Sequence, residues 1–409
     1  SGFSLAIRFR SAGSRRYEEG MQFFAFQGNV NKNIGPSEIG VISGEVYKQK
    51  GGKWTVRTES VNVRDGDKIN YWMYAQVNGS TYKGENLTSI VRGMCTLQSE
   101  MAPNGPVSYK TTCSDYEFCV YHNGNHRELA EITNGVLRMK PLILEDYYGE
   151  SATTFGIMQL AGCTSNVAAE CKRNATAFNI LPPVISARLT TKESFNFRYG
   201  KIEIRAKFPE GDWLYPEMWL VPNYDSYGAG YSSGRVLLGL ARGNDNLINS
   251  TSREIFDSRK LEFGFRIGSA RNVENYVVSK VEANGPKWTK DFHVYTTIWN
   301  SDGFQFLVDD EEVGKLVPEG KGWMNNGQFD KMAPFDQEFH ITIGIGVGGV
   351  RIFPDGTISA GTSKPWRNLG AKAMLQFWRA KNQWLPSWKR QNGRKAAFEI
   401  DYIRVWSFN

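Results

Sequence analysis

Four histidines are all that this 409-residue chain offers, and His122, His126, His293 and His340 are too dispersed for a catalytic metal motif such as HExxH. Its five cysteines, Cys95, Cys113, Cys119, Cys163 and Cys171, form no CxxC pair, which removes zinc-ribbon and thioredoxin-type chemistry. No spacing demands a metal or any other cofactor, so none is expected. No run of about 18 apolar residues occurs, so no transmembrane segment is expected. Dense basic blocks are missing too: the net charge is +7, but lysine and arginine are scattered among acidic residues without zinc-finger or helix-turn-helix spacing. That pattern fits a solvated, mildly basic surface and no nucleic-acid partner.

Aromatic residues, by contrast, make up 13% of the chain, with 12 Trp and 18 Tyr. Together with glycine-punctuated runs of β-branched residues they predict an all-β protein. Most of these rings read as core, although the same side chains suit the faces of sugars. Sequons at Asn78, Asn86, Asn174 and Asn249 lie beside turn-like polar residues and predict glycosylation of a secreted chain. In that setting Cys95, Cys113, Cys163 and Cys171 are expected in disulfides, with no connectivity assigned, and Cys119 in YEFCVY is the odd one, read as a buried inert thiol. The opening SGFSLAIRF lacks a signal-peptide pattern and reads as mature.

Strand follows strand. Residues 1–92, with MQFFAFQGNV, the KGGKW turn and RDGDKINYWMYAQV, predict an immunoglobulin-like β-sandwich. Residues 93–112, rich in Pro, Gly, Ser and Thr, read as a linker, and 113–409 as one large two-sheet sandwich. Alternation is clear in Lys201, Glu203, Arg205 and Lys207 against Ile202, Ile204, Ala206 and Phe208.

The ordered blocks NGVLRMKP, LPPVISARLTTKESFNFRYGKIEIRAKFPEGDWLYPEMWLVP, FHVYTTIWNSDGFQFLVDD and FEIDYIRVW resemble the laminarinase-like glycoside hydrolases of family 16. The resemblance implies a concanavalin-like β-jelly roll with a glucan cleft on its concave sheet. The family's catalytic strand reads S-G-E-I-D-I-x-E-S-R-G-N, and a bulge must bring its last glutamate onto the face of the first. Here SSGRVLLGLARGN matches at Ser233-Gly234 and at Arg242-Gly243-Asn244. Between them Arg235 stands at the nucleophile, Leu237 at the aspartate and Leu240 at the acid/base, so the resemblance implies a degenerate, non-enzymatic site. An enzyme reading would need relocated carboxylates such as Glu203, Glu217 or Glu254. Arg235 could bind a sugar hydroxyl or phosphate, but pairing with Glu217 or Asp225 is the preferred reading.

This replacement, with the N-terminal GFSLAIRF, MQFFAFQGNVN, GGKW and GDKINYWMYAQVNGSTYKG, resembles the arthropod β-1,3-glucan recognition proteins, also called Gram-negative-bacteria-binding proteins. That family joins a carbohydrate-binding module of family 39 to an inactive glucanase-like domain. The resemblance implies an innate-immune pattern-recognition protein secreted into hemolymph. Such a protein binds microbial β-1,3-glucan, assembles on that multivalent ligand, and triggers a downstream serine protease of a Toll or prophenoloxidase cascade. Bacterial lipoteichoic acid or peptidoglycan is the alternative ligand. Implied carbohydrate-binding residues are Glu45, Trp72, Tyr82 and Lys83 in the first module and Trp213 and Tyr215 before the degenerate strand. Lys83 stands where the family has an arginine, and Val41 where it has an acid. Trp72 reads equally as outward or core, Trp219 as core, and Trp366, Trp378, Trp384 and Trp388 as packing residues.

Overall fold

The computed structural model describes residues 5–8, 21–35, 38–48, 55–58, 67–90, 98–99, 117–122, 129–160, 171–176, 178–269, 272–285, 287–324 and 327–408. Two compact units divide the chain at Ser1–Cys95 and Thr96–Asn409. Among the described residues no helix is long and apolar enough to cross a membrane.

In the first unit an antiparallel sheet runs Ile42–Val46, Met21–Val30, Lys68–Val77, Ser80–Ile90 in spatial order. A second sheet pairs Leu5–Arg8 with Thr55–Thr58. Alternation sends Phe24, Phe26, Ile42 and Ile69 to one face, where they meet Val56 of the two-stranded sheet in a common core. The hairpin Val77–Ser80 turns on Asn78 and Gly79, at φ 49° and 77°. Two left-handed residues in succession match the twist of the flanking strands, which is why an Asn-Gly dipeptide sits there.

The second unit is all-β at its centre, as the resemblance implies. One sheet orders its strands Glu311–Leu316, Gly303–Val308, His293–Asn300, Gly200–Lys207, Phe398–Trp406, Val136–Met139 and Ala130–Thr133. The facing sheet runs Leu142–Ile143, Val184–Thr190, Phe339–Val347, Leu214–Pro222, Arg235–Leu240, Lys260–Ser269 and Asn272–Val281. Between them lies a core rich in rings: Phe208 stacks on Tyr295 at 4.3 Å, and buried Trp299 donates from Nε1 to the Phe335 carbonyl at 3.1 Å. Strand Gly200–Lys207 keeps its alternation, with Ile202, Ile204 and Ala206 inward. Glu203 departs from that pattern, being buried although outward in parity, where it pairs with Lys201 at 2.7 Å.

Trp366, Trp378, Trp384 and Trp388 pack as expected, around helices Ala373–Arg379 and Lys381–Trp388. Gln98–Ser99, inside the expected linker, pairs with Leu189–Thr190 as an edge strand of the second unit. Cys119 is a free, fully buried thiol, its pKa pushed well up by burial and by the nearby carboxylates of Glu117 and Glu217. Cys171 is disulfide-bonded, while Cys95, Cys113 and Cys163 lie outside the described residues, as does His126.

The local feature that shapes the facing sheet is a bulge in Arg235–Leu240. Leu237 pairs with Gly264 and Leu240 with Glu262, three steps on one strand against two on the other. Gly239 absorbs the extra residue at φ 145°, and a Cβ there would lie 2.9 Å from Met218 and 3.3 Å from the Tyr295 ring. Replacing Gly239 by valine is expected to cost about 1–3 kcal/mol for backbone strain, before any steric clash is added. Thermal melting of the Gly239→Val variant checks this, with a fall of several degrees expected.

Candidate functional site

The first unit offers an open sheet face. Register places Glu45, Ala25, Tyr74 and Lys83 in one row across the four strands, and Ser43, Gln27 and Trp72 in the next. Trp72 is therefore on the face opposite the core, and its indole N–H donates to the Glu38 carbonyl at 2.9 Å, which fixes the ring. Lys83 holds its ammonium 5.8 Å from the centre of that ring and pairs with Glu85. Glu45 accepts a 2.8 Å hydrogen bond from Tyr47, whose ring lies 4.9 Å from Phe23. Tyr47 is 65% exposed.

Three of the four expected residues thus share a face, and Tyr82 does not. It pairs with Ala75, so period 2 turns it to the core side, where it is half exposed near the strand end. Phe23, Tyr47 and Tyr74 belong to the open face and were not anticipated. The available signal was spacing, since Tyr74 is two residues from Trp72 and Tyr47 two from Glu45. Asn78, Asn86 and Asn174 are exposed, as sequons require, while Asn249 is half buried and accepts hydrogen bonds from Thr251 and Ser252 N–H at 2.8 and 2.9 Å.

In the second unit the bulge puts Leu237 and Leu240 on one face, although residues three apart on a regular strand face opposite ways. Both line a groove of about 150 Å³ with Trp219, Arg242, Glu262 and Arg266. Trp219, expected as core, is almost fully buried but belongs to this groove, with the Arg266 guanidinium 4.9 Å over its ring. Arg235 lies on the same face, directly opposite Arg266, with its guanidinium 5.7 Å from the Tyr231 ring. Glu217 is engaged elsewhere: fully buried, it accepts from Arg188, whose guanidinium also reaches Glu117 at 3.6 Å. Asp225, the other expected partner of Arg235, is exposed.

Trp213 and Tyr215 are corrections. Trp213, at φ 65°, is buried edge-on against Trp366 at 4.9 Å and Phe353 at 5.2 Å. Tyr215 is fully buried because its ring lies across its cross-strand neighbour Gly346, where a Cβ would come within 2.1 Å of it. Neither ring has a face left for a sugar.

The matched Arg242-Gly243-Asn244 ending does architectural work. Arg242 donates to the Ile352 carbonyl at 2.7 Å and to Glu262 at 2.8 Å. Asn244 accepts from the Trp213 N–H at 3.0 Å and donates to Asp212 and Ser359 at 2.9 and 3.1 Å. Burial pushes the Asp212 pKa up in spite of those bonds. The remaining histidines are structural: His293 meets Asp309 at 2.6 Å, His122 meets the Tyr148 hydroxyl at 3.3 Å, and burial with Lys192 and Arg235 lowers the pKa of His340 to about 3. Among the described residues no group of three His, Cys, Asp or Glu could hold a metal.

A family model, CBM39, described as "Carbohydrate binding domain (family 32)", matches residues 14–114, and glycosyl hydrolases family 16 matches 270–360. A β-1,3-glucan-binding protein of Hyphantria cunea is 31% identical over 446 aligned residues, spanning 94% of this chain and 90% of that protein. The chain belongs to the β-1,3-glucan-binding protein family. Gram-negative bacteria-binding protein 1 of Drosophila melanogaster, 29% identical, spans 100% of this chain and 93% of its own length. Among solved structures, a laminarinase from Rhodothermus marinus superposes with a TM-score of 0.46 at 18% identity, covering 78% of this chain and 93% of that one.

Because Asn244 satisfies three partners in a buried site, Asn244→Ala is expected to cost about 1–3 kcal/mol, the penalty for leaving buried polar groups without their bonds. Denaturant unfolding checks it, and Ser359→Ala, which removes one of the three bonds, is expected to cost less.

Proposed function

We propose that this chain recognises microbial β-1,3-glucan outside the cell, without hydrolysing it, and passes the signal to a serine protease of an immune cascade, Toll or prophenoloxidase. The observation that carries this reading is the open face of the first unit. There Trp72, held by Glu38 and flanked by Lys83, shares the face with Tyr74, Tyr47 and Glu45. A pyranose presents an apolar face and a rim of hydroxyls, so rings interleaved with charged and amide groups match it. An open sheet face also suits an extended polymer better than a small sugar. Family membership supports the same ligand, since the relative from Hyphantria cunea is named for binding β-1,3-glucan. Secretion into hemolymph, N-glycosylation at the four sequons and assembly along a multivalent glucan are parts of the proposal. Avidity on such a ligand can exceed the single-site affinity by orders of magnitude.

The absence of hydrolysis is argued from chemistry. Retaining hydrolysis needs two carboxyls about 5–5.5 Å apart, and inversion about 6.5–9.5 Å. The degenerate strand presents Arg235, Leu237 and Leu240 instead. Leucine has no proton to give, and a guanidinium beside the anomeric carbon opposes oxocarbenium-like charge. Relocated carboxylates are engaged elsewhere: Glu203 is on the opposite sheet paired with Lys201, Glu217 is enclosed with Arg188, and Glu254 is paired with Lys260 at 2.9 Å. Glu262, at the groove, is held by Arg242.

Retention of the full chain on insoluble β-1,3-glucan, with cellulose as control, tests the binding half. Trp72→Ala is expected to weaken retention about tenfold, roughly 1.4 kcal/mol, through loss of the ring face and its apolar contact. Tyr82→Ala is expected to leave it within twofold. Equal retention of Trp72→Ala and the parent chain would contradict the assignment of this face.

A further inference from the structure

One two-stranded ribbon of the second unit carries apolar side chains on its outer side. Strand Ile157–Gln159 pairs antiparallel with Lys172–Asn174, and Met158, fully buried in the core opposite half-buried Arg173, marks the inner face. Burial lowers the Arg173 pKa accordingly. Period 2 then puts Ile157, Gln159, Lys172 and Asn174 on the outer face, where Ile157 is 66% exposed. The ladder also sets how near Ile157 lies to its partner. Ala175 N–H donates to the Gly156 carbonyl and Leu160 N–H to the Cys171 carbonyl, both at 2.8 Å. Those residues, with Met158 and Arg173 between them, occupy the hydrogen-bonded pairs, so Ile157 and Asn174 form a non-hydrogen-bonded pair. Facing side chains come closest in such pairs, whose Cα atoms are about 4.5 Å apart.

Ile157 is one of several exposed apolar groups in this segment. Phe155, two residues earlier, is 77% exposed, and Phe178, between the bridged residues Thr176 and Asn179, is 60% exposed. Leu181 N–H donates to the Thr153 carbonyl at 2.9 Å and draws the chain after Phe178 back toward Phe155. The Lys372 ammonium lies 4.3 Å from the centre of the Phe178 ring, and Leu369, three residues before it, is fully exposed. A surface cluster of this kind calls for a cover or a partner. The chain supplies a place for the cover itself, because Asn174 opens the sequon Asn174-Ala175-Thr176, and both Asn174 and Thr176 are exposed.

We propose that an N-glycan on Asn174 folds back over Ile157, Phe155 and Phe178 and forms a built part of the second unit's surface. The proposal rests on the reading that the chain is secreted and N-glycosylated, and it adds what this one glycan covers. Attachment joins the Asn174 side-chain nitrogen to C1 of N-acetylglucosamine. The nitrogen gives up a proton, the C1–O bond of a lipid-linked oligosaccharide diphosphate breaks, and the diphosphate leaves with the bonding electrons. The first sugar is then tethered beside Ile157, so its contact with the apolar cluster is intramolecular and the cost of bringing the two together is already met. Its C–H face and acetamide methyl suit Ile157, while Gln159 and Lys172, the next pair on the same face, offer donors to its hydroxyls.

The full chain secreted from cultured eukaryotic cells tests this, with site occupancy read by peptide mass spectrometry. Asn174 is expected to carry glycan. Thr176→Ala, which removes the sequon and keeps Asn174, is expected to lower the melting temperature by roughly 2–4 °C and to raise binding of a hydrophobic dye at least twofold. Asn174→Gln removes the same glycan from the other end of the sequon and is expected to match it. In an Ile157→Ser background, loss of the sequon is expected to cost less than half as much, the coupling that direct contact requires. Both positions are exposed, so the variants are expected to fold. Equal losses with Ile or Ser at position 157, or dye binding unchanged by removal of the glycan, would overturn the cover. Asn174 unmodified while other sequons carry glycan would overturn this proposal and leave the glycosylation reading standing. An absence of glycan at every sequon would overturn that reading as well.

Discussion

A single extra residue in one strand governs the geometry of the second unit's open face. Between Leu237 and Leu240 the chain takes three steps while its partner takes two, and Gly239 supplies the backbone conformation that allows it. Without that bulge Leu240 would turn into the core, where Tyr295 and Met218 already fill the space. With it, Arg235, Leu237 and Leu240 share a face. The same device lets residues five apart in the chain, such as Arg235 and Leu240, share one face of the sheet.

The groove on this face is lined by charged side chains of both signs. A cleavage site concentrates negative charge where a cationic transition state develops. Here Arg242, Arg266 and Arg351 line the groove together with Glu262, and Glu217 is paired with Arg188 in a separate cluster with Glu117 and Tyr121. The first unit follows a different logic. Its open face, which we propose as the glucan surface, carries half-buried Phe23, Trp72 and Tyr74 and exposed Tyr47 among the charges of Glu45, Lys83 and Glu85.

Much of this was legible in the sequence, for identifiable reasons. Period-2 alternation exposed the strands, and the matched ends of SSGRVLLGLARGN set the register on which the proposed loss of the catalytic carboxylates rests. The side on which Tyr82 falls was also readable: the Asn78-Gly79 turn pairs Val77 with Ser80, which pairs Ala75 with Tyr82 and sends it away from Trp72. Burial of Tyr215 was not readable, because it depends on Gly346, more than a hundred residues away, offering a gap on the neighbouring strand. The arginine cluster was hidden likewise, since Arg266 and Arg351 meet Arg235 only through cross-strand register and a distant loop. Trp213 and Tyr215 looked like cleft aromatics by sequence position, and what removed them was packing by Trp366 and Phe353 from far along the chain.

The central claim, that a hydrolase-like scaffold here recognises glucan without cutting it, is tested most directly by a reducing-sugar assay on soluble laminarin with the purified full chain at concentrations where it is bound. The account predicts no release above the protein-free control over prolonged incubation. Release that scales with protein concentration, and persists in a preparation free of contaminating glucanase, would contradict it.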